Sequence, residues 1–480
     1  MLSPIPQLAS DSPIDLLEKK RIRSNSIGVF SFYCLCFFCI LNVNFFTRAF
    51  IGVEQAFSVL YLLSALGVLF SFQFKMRPAL GQAGAMWLIA VISFLLIATR
   101  FGALDLAYYT SPQSNLYRTL VAQLLSVCAA MGARHLALAG RGQEMLRVVF
   151  GLAVMACLTI ILTKKFPGIL QYVGTQAQDR GGGFFQDPNR AGQACCATAA
   201  IGFAVLVGET TLRGRLFAYS GMLALVPCLF MTYSRSSILA MAGLVMMQFF
   251  ISPIMKRKET LIAILVVAVS LPIGVAYVLN KRASNVDSWN QANVDAQKDR
   301  MESLFRILSG NFDDADTGSR FVLAARGLRY FASSPVIGVG YRVLAKMPDI
   351  GLGCHNTFIR IFGEAGFVAG MMFIGAVGFL ALCGWRSKSP QVRCLVVGYA
   401  AMYTAACLVS HSVLTNRLHN VVVGVCFGLI TAAATASMQD ARQRRAIMLQ
   451  RRAAAPVPQP SLPPADEAVV PAAAQPHATG

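Results

Sequence analysis

Cys354-His355-Asn356-Thr357-Phe358-Ile359-Arg360-Ile361-Phe362-Gly363-Glu364-Ala365-Gly366 sets a histidine and an asparagine where a polar segment enters an apolar run, with an acidic residue two turns further in. A histidine titrating near neutrality can take a proton from a hydroxyl or orient it for attack. Glu364, costly in an apolar segment, calls for a partner, and Arg360 at the i−4 position is placed to be one. Thr232-Tyr233-Ser234-Arg235-Ser236-Ser237 is a turn so short that Arg235 must lie at a membrane boundary, either snorkelling to headgroups or gripping a phosphate with its planar fork. Arg180-Gly181-Gly182-Gly183-Phe184-Phe185-Gln186-Asp187-Pro188-Asn189-Arg190-Ala191-Gly192 holds an N-cap and first-turn pair, Asp187-Pro188. A helix should begin there, and its positive end, with Arg180, Asn189 and Arg190 nearby, reads either as an anion site or as a Gly-rich turn and a cap. Finally, Arg320, Arg326 and Arg329 punctuate a stretch whose apolar residues 321, 322, 325, 328, 331 and 332 recur at helical spacing, an amphipathic helix suited to a membrane surface. The turn Ser334-Pro335-Val336-Ile337-Gly338-Val339-Gly340 follows it.

Membrane helices must position all of this. Of 480 residues, 56% are hydrophobic and 13% charged, with a mean hydropathy of +0.57, outside the mix of a water-soluble domain. Continuous apolar stretches near the ~20 residues that cross a bilayer fall at 27–46, 50–72, 79–99, 116–133, 148–163, 192–208, 216–232, 237–255, 260–279, 357–383, 393–410 and 418–437. Continuity rather than alternation excludes a closed barrel. The expected fold class is an all-α polytopic membrane protein with about twelve transmembrane helices, or ten or eleven if the short 148–163 and 192–208 do not cross. One large periplasmic loop containing amphipathic helices interrupts it. Residues 1–26 form a cytoplasmic N-terminal tail, 27–279 helices one to nine, 280–356 the loop, 357–437 the last three helices, and 438–480 a disordered basic Pro- and Ala-rich cytoplasmic tail.

Sidedness follows from short basic clusters. Lys19 to Arg23, Lys75 and Arg77, Arg134 and Arg141, Arg213 and Arg215, Lys256 to Lys258, and Arg386 with Lys388 and Arg393 recur in alternate loops, so they share one side, cytoplasmic by the positive-inside rule. With twelve spans the basic tail shares that side, so both termini are inside and 280–356 outside. The formal charge of +20 is accounted for by these clusters and the basic tail, without a nucleic-acid partner. The polar stretch before Ile27, with no small-residue cleavage site after its apolar run, reads as an uncleaved signal-anchor. Cys34, Cys36 and Cys39 lie inside an apolar span, where cysteine is an ordinary small hydrophobe, so neither a metal nor a disulfide framework is expected.

In order, G-G-G-F-F-Q-D-P-N-R-A-G, Y-S-R-S-S, S-R with an amphipathic helix and S-P-V-I-G-V-G, and H-N-T-F-I-R-I-F-G-E-A-G resemble the O-antigen ligase and polymerase family, with motifs over residues 180 to 370. Arg329 and Gly340 also have that family's R-x10-G spacing. The resemblance implies metal- and cofactor-independent, inverting transfer of an undecaprenyl-diphosphate-linked glycan, at the outer face of the bacterial inner membrane, to lipid A-core or a growing glycan. It implies His355 as the catalytic residue and Arg235 and Arg320 on the diphosphate, with Asn356, Arg326, Arg329, Arg180, Arg190, Asp187, Asn189 and Glu364 in support. One departure is the family's Trp-like position, for which the helix offers only Phe321, Leu328 and Tyr330. The chemistry suits these residues, since a diphosphate leaves with charge stabilisation, which arginines supply. A glycosidase would need two flanking carboxylates, and Asp313, Asp314 and Asp316 crowd into one acidic stretch instead. His411 and His419 compete with His355 but lack its aromatic, Arg and Glu-Ala-Gly context. Ligase and polymerase remain open within the family, the single late loop leaning toward a ligase. A transporter or flippase should show midspan charges, related halves or broken helices, and the sequence shows few such charges and no evident repeat.

Overall fold

Asp187 does start a helix: its carboxylate accepts from the Arg190 amide at 2.9 Å, Pro188 occupies the first turn, and the helix runs from Pro188 to Gly208. The structure, a computed structural model, describes residues 26–43, 56–72, 112–165, 182–253, 314–340, 343–347, 353–410 and 413–454, apart from 186 and 346. The described helices are α1 (Ser26–Ile40), α2 (Ala56–Ser71), α3 (Pro112–Leu138), α4 (Gly142–Lys165), α5 (Pro188–Gly208), α6 (Leu212–Met231), α7 (Arg235–Ile251), α8 (Asp314–Ser333), α9 (Thr357–Arg386), α10 (Pro390–Val409) and α11 (Arg417–Ala454). Six of them (α4, α5, α6, α9, α10 and α11) are long and apolar enough to cross a membrane, and α1, α2 and α7 are shorter apolar helices. Ten expected spans fall on described helices, whereas 79–99 and 260–279 lie outside the described residues. The segments 148–163 and 192–208 looked short because their flanks are polar. Gln143, Glu144 and Arg147 are taken up into α4, and Asn189 and Arg190 into α5, giving 24 and 21 residues.

α5 is the axis of the bundle. Of its 21 residues 17 are buried, mostly Ala, Gly and Cys, and such small side chains let α4, α6, α7 and α10 approach closely around it. By contrast Leu216, Phe217 and Leu223 on α6, Phe249 and Phe250 on α7, and Phe367, Met371, Ile374 and Trp385 on α9 are exposed. In water that surface would drive aggregation, and its natural solvent is lipid. Cys36 and Cys39 are buried as small hydrophobes in the same core.

The bundle has two chemically different ends. Gln248 near the end of α7 donates to the Cys394 carbonyl near the start of α10 at 2.9 Å, while Ser236 and Ser237 at the start of α7 share a crevice with Val409 at the end of α10, so the two are antiparallel. One end gathers the loops bearing Arg141, Arg213, Arg215, Arg386, Lys388 and Arg393. There Arg147 and Gln143 bind the buried Glu209 carboxylate, with Nη2 to Oε2 at 2.6 Å and Nε2 to Oε1 at 2.5 Å, and Gln391 donates to Gln143. Burial raises the Glu209 pKa, but these donors outweigh it and hold the carboxyl below its ordinary value. The described basic clusters thus share one end, as their spacing requires.

α11 runs on to Ala454, so residues 438–454, expected in the disordered tail, are helical; Ala, Arg, Gln, Met and Leu dominate there and all favour helix. A separate unit begins at Thr435, and within it Arg442, Arg444, Arg445, Ile447, Met448 and Leu449 are exposed.

Candidate functional site

The opposite end gathers the motif-bearing segments. Ser237 and Ser234 approach Gly192 so closely that a Cβ there would lie 2.5 Å from the Ser237 hydroxyl, which sets the start of α7 beside the start of α5. Val409, which lines a crevice with Ser236 and Ser237, is followed in the chain by Ser410, whose carbonyl accepts from Thr357 at the start of α9. Arg235, the Asp187 helix start and His355-Asn356 therefore occupy one end of one bundle.

Local chemistry makes each position. Thr232 donates to Leu229 O at 2.7 Å and accepts from the Ser234 amide at 3.2 Å, and Tyr233 is held at φ 50°, so the chain reverses in three residues and presents Arg235 as the first residue of α7. Left-handed backbone at a non-glycine residue is costly and concentrates at functional turns. Asn356 caps α9, its side-chain oxygen accepting from the Ile359 amide at 3.0 Å, which leaves the preceding His355 exposed.

The Gly-Glu-Ala-Gly stretch proves to be a helix break. Gly366 has φ 83° and ψ 179° inside α9, splitting it into 357–365 and 367–386. The loose ends are stitched by the turn after α8: Val339 N donates to Gly363 O at 2.8 Å, Gly340 N to Glu364 O at 3.0 Å, and Phe367 N to Pro335 O at 2.7 Å. Residues 367–386 alone supply about 30 Å of helix, a full hydrocarbon thickness. Since Thr357 meets Ser410 at the end of α10, itself about 30 Å long, the 357–365 segment folds over the end of the bundle instead of prolonging the span. Glu364, expected two turns inside the span, thus sits at its boundary. It pairs with Arg360 as anticipated, Nε to Oε1 at 2.8 Å, and its Oε2 is buried without a hydrogen-bond partner.

α8 docks on this folded-over segment. Leu323, Leu344, Met347 and Cys354 form a small buried cluster with Tyr330 and Ile359 against it, and Phe331 meets Phe362 edge-on at 5.6 Å. The Cys354 thiol is a core side chain, and burial pushes its pKa up. Val322, Ala325, Leu328 and Ala332, four of the six positions in the expected apolar face, are exposed on the other side of α8. The helix therefore has two apolar faces, one packed and one open.

Arg326 is half-buried and Arg329 exposed on α8, while Arg190 and Asn189 are half-buried in the first turn of α5. The carboxylate of Asp187 and the amide of Asn356 are engaged as helix caps. Arg180, the side chain of Arg320 and His411 lie outside the described residues. His419 is fully buried, its Nδ1 3.1 Å from the Tyr399 hydroxyl and its ring edge-on to Tyr403, so it is closed off from the surface. Among the described residues no group of three or more His, Cys, Asp or Glu side chains is placed to hold a metal. Two further polar groups at this end carry no motif signal. Arg417 donates to Asn42 Oδ1 at 3.0 Å and Tyr61 OH at 2.7 Å, and Asn42 donates to Phe184 O at 2.6 Å, tying α11, α1 and α2 to the turn before α5. Gln193, one turn into α5, lines the crevice with Ser236 and Ser237.

Fold and site define a polytopic membrane protein with one end built from arginine-bearing helix starts and a histidine-bearing threshold. Residues 220–374 match the family model described as O-antigen ligase, so this segment is similar to the family that the motifs resemble. The matched segment holds Arg235, Arg320, Arg326, Arg329, His355, Asn356 and Glu364, while Asp187, Asn189 and Arg190 precede it. No curated protein matches the chain.

Proposed function

We propose that the protein is an inverting glycosyltransferase of the O-antigen ligase type, moving an undecaprenyl-diphosphate-linked glycan onto a sugar hydroxyl at the periplasmic face of the inner membrane. The observation that carries this reading is the placement of both the Arg235 helix start and the His355-Asn356 threshold beside the end of α10, away from the basic loops and both inside the O-antigen ligase match. His355 takes the proton of the acceptor hydroxyl or orients it, a contribution of about 10²–10⁴-fold in rate. Arg235 and Arg320 hold the diphosphate and carry the charge that develops as it leaves, so the transfer needs no metal in this reading. The acceptor oxygen forms its bond to the anomeric carbon from the face opposite the breaking bond to the diphosphate, which inverts that centre. Asn356 and Asp187 act as caps that aim His355 and the first-turn amides of α5.

A broken helix is a feature also expected of a transporter. Here the carbonyls of Gly363 and Glu364 are already paired with the 338–340 turn rather than turned toward a cavity, which favours a built outer site.

The test is a deletion strain complemented with wild type or His355→Ala. Loss of a ligase leaves full-length polymer unattached to lipid A-core, and loss of a polymerase leaves single repeats or none. A purified His355→Ala protein with full transfer activity would remove His355 from the mechanism.

A further inference from the structure

Gln193 is 4% exposed, and both its amide nitrogen and its amide oxygen are buried without a hydrogen-bond partner. A buried primary amide with both ends unmatched is destabilising by itself, so it calls for a partner that no neighbouring protein group supplies. It lines a crevice between α5, α7 and α10 with Cys196, Ser236, Ser237, Met402 and Val409. The polar wall is already arranged: Ser237 is tied to Ser234 at 2.9 Å, and Cys196 donates to the Ser237 carbonyl at 3.2 Å. Ser236 and Ser237 directly follow Arg235, and Gln193 lies one turn below Asn189 and Arg190, so the crevice adjoins the arginine-bearing helix starts.

The chemistry of the amide selects the ligand. A phosphate at neutral pH offers only acceptors, which would suit the Gln193 NH₂ but oppose its carbonyl oxygen. A group that satisfies both ends must donate and accept while remaining neutral, and the serine hydroxyls beside it have the same dual character. We propose that this crevice is a neutral subsite beside the cationic one, taking a hydroxyl group of the sugar attached to the donor diphosphate, with Gln193 as its recognition residue. The proposal rests on the donor reading above and adds to it a residue that discriminates a sugar-bearing lipid from the bare lipid diphosphate.

The probes are undecaprenyl-diphosphate-linked N-acetylglucosamine and sugar-free undecaprenyl diphosphate, titrated against the full-length protein in nanodiscs. Gln193→Leu, close in shape and apolar, should weaken binding of the sugar-bearing lipid about tenfold, the worth of one or two neutral hydrogen bonds, and leave the bare lipid unchanged within error. Because it removes an unmatched buried amide, the same variant should melt no lower than wild type. Ser236→Ala, too small a change to disturb packing, should shift the same ratio in the same direction by about threefold. Equal losses for both lipids, no loss for either, or a lowered melting temperature with Gln193→Leu would each overturn the subsite while leaving the donor reading standing, as would wild-type protein that binds the two lipids equally. Wild-type protein that binds neither lipid overturns both together.

Discussion

The break in α9 makes one sharp demand, that residue 366 be glycine. Gly366→Ala would put a Cβ 2.0 Å from the Val336 carbonyl oxygen, 2.4 Å from its carbon and 2.7 Å from the Ile337 nitrogen. All three are backbone atoms of the stitching turn and cannot swing aside. The φ of 83° with ψ of 179° is a region that only glycine occupies readily, a cost of about 1–3 kcal/mol for alanine. Expelling the turn forfeits the three hydrogen bonds from Val339, Gly340 and Phe367, at about 1 kcal/mol each. The expected penalty is therefore roughly 4–6 kcal/mol, concentrated where α8 and the His355 threshold meet α9. Gly378→Ala in the same helix is the matched control: nothing lies within 4 Å of its Cβ, and alanine in a helix interior is neutral or stabilising by up to about 1 kcal/mol. Purified Gly366→Ala should melt well below Gly378→Ala, and only Gly378→Ala should restore surface glycan to a deletion strain at equal expression. A Gly366→Ala protein as stable and as active as Gly378→Ala would refute the stitched break.

Two further outcomes follow from the opposite end and from the docked loop. Glu209→Gln should destabilise by about 1–3 kcal/mol, less than the loss of a fully buried pair, because the Arg147 side chain stays 44% exposed and can reach water. Since the folded carboxyl is held below its unfolded value of about 4.3, that stability is fully present above this pH and is lost as pH falls through the depressed folded value. The melting gap between wild type and Glu209→Gln should therefore close in acid, and a gap independent of pH would contradict the pairing. At neutral pH Cys354 should resist maleimide in the folded protein and label after denaturation, because burial both covers the thiol and raises its pKa. Peptide mapping that finds it modified at the same rate in both states would mean the Leu323–Leu344–Cys354 cluster does not hold.

Much of this molecule can be read from one-dimensional pattern because the governing physics is local. Apolar length, basic loop clusters, the Asp187-Pro188 start and the Arg360–Glu364 pair depend on neighbours within a few residues, and the described helices carry them as expected. The arginine-bearing helix and the His-Asn threshold were legible as motifs, and the O-antigen ligase match covers both. Other features needed the fold. Residues 357–383 read as one unbroken apolar run, because hydropathy cannot sense a glycine whose backbone conformation is dictated by a turn more than twenty residues earlier. The face on which α8 packs was hidden for a related reason: Leu323 and Gly327 become core only when Leu344, Cys354 and Ile359 meet them. His419-Asn420 repeats a promising dipeptide, and only packing between Tyr399 and Tyr403 takes it out of contention. Gln193 carries no motif, and its meaning lies in what fails to surround it. Sequence alone determined a polytopic helical membrane protein, the partition of its polar chemistry between two ends, and the residues to test. Tertiary structure decided which of those residues share an end, where α9 breaks, and which buried amide lacks a protein partner, since each is set by contacts between segments far apart in the chain.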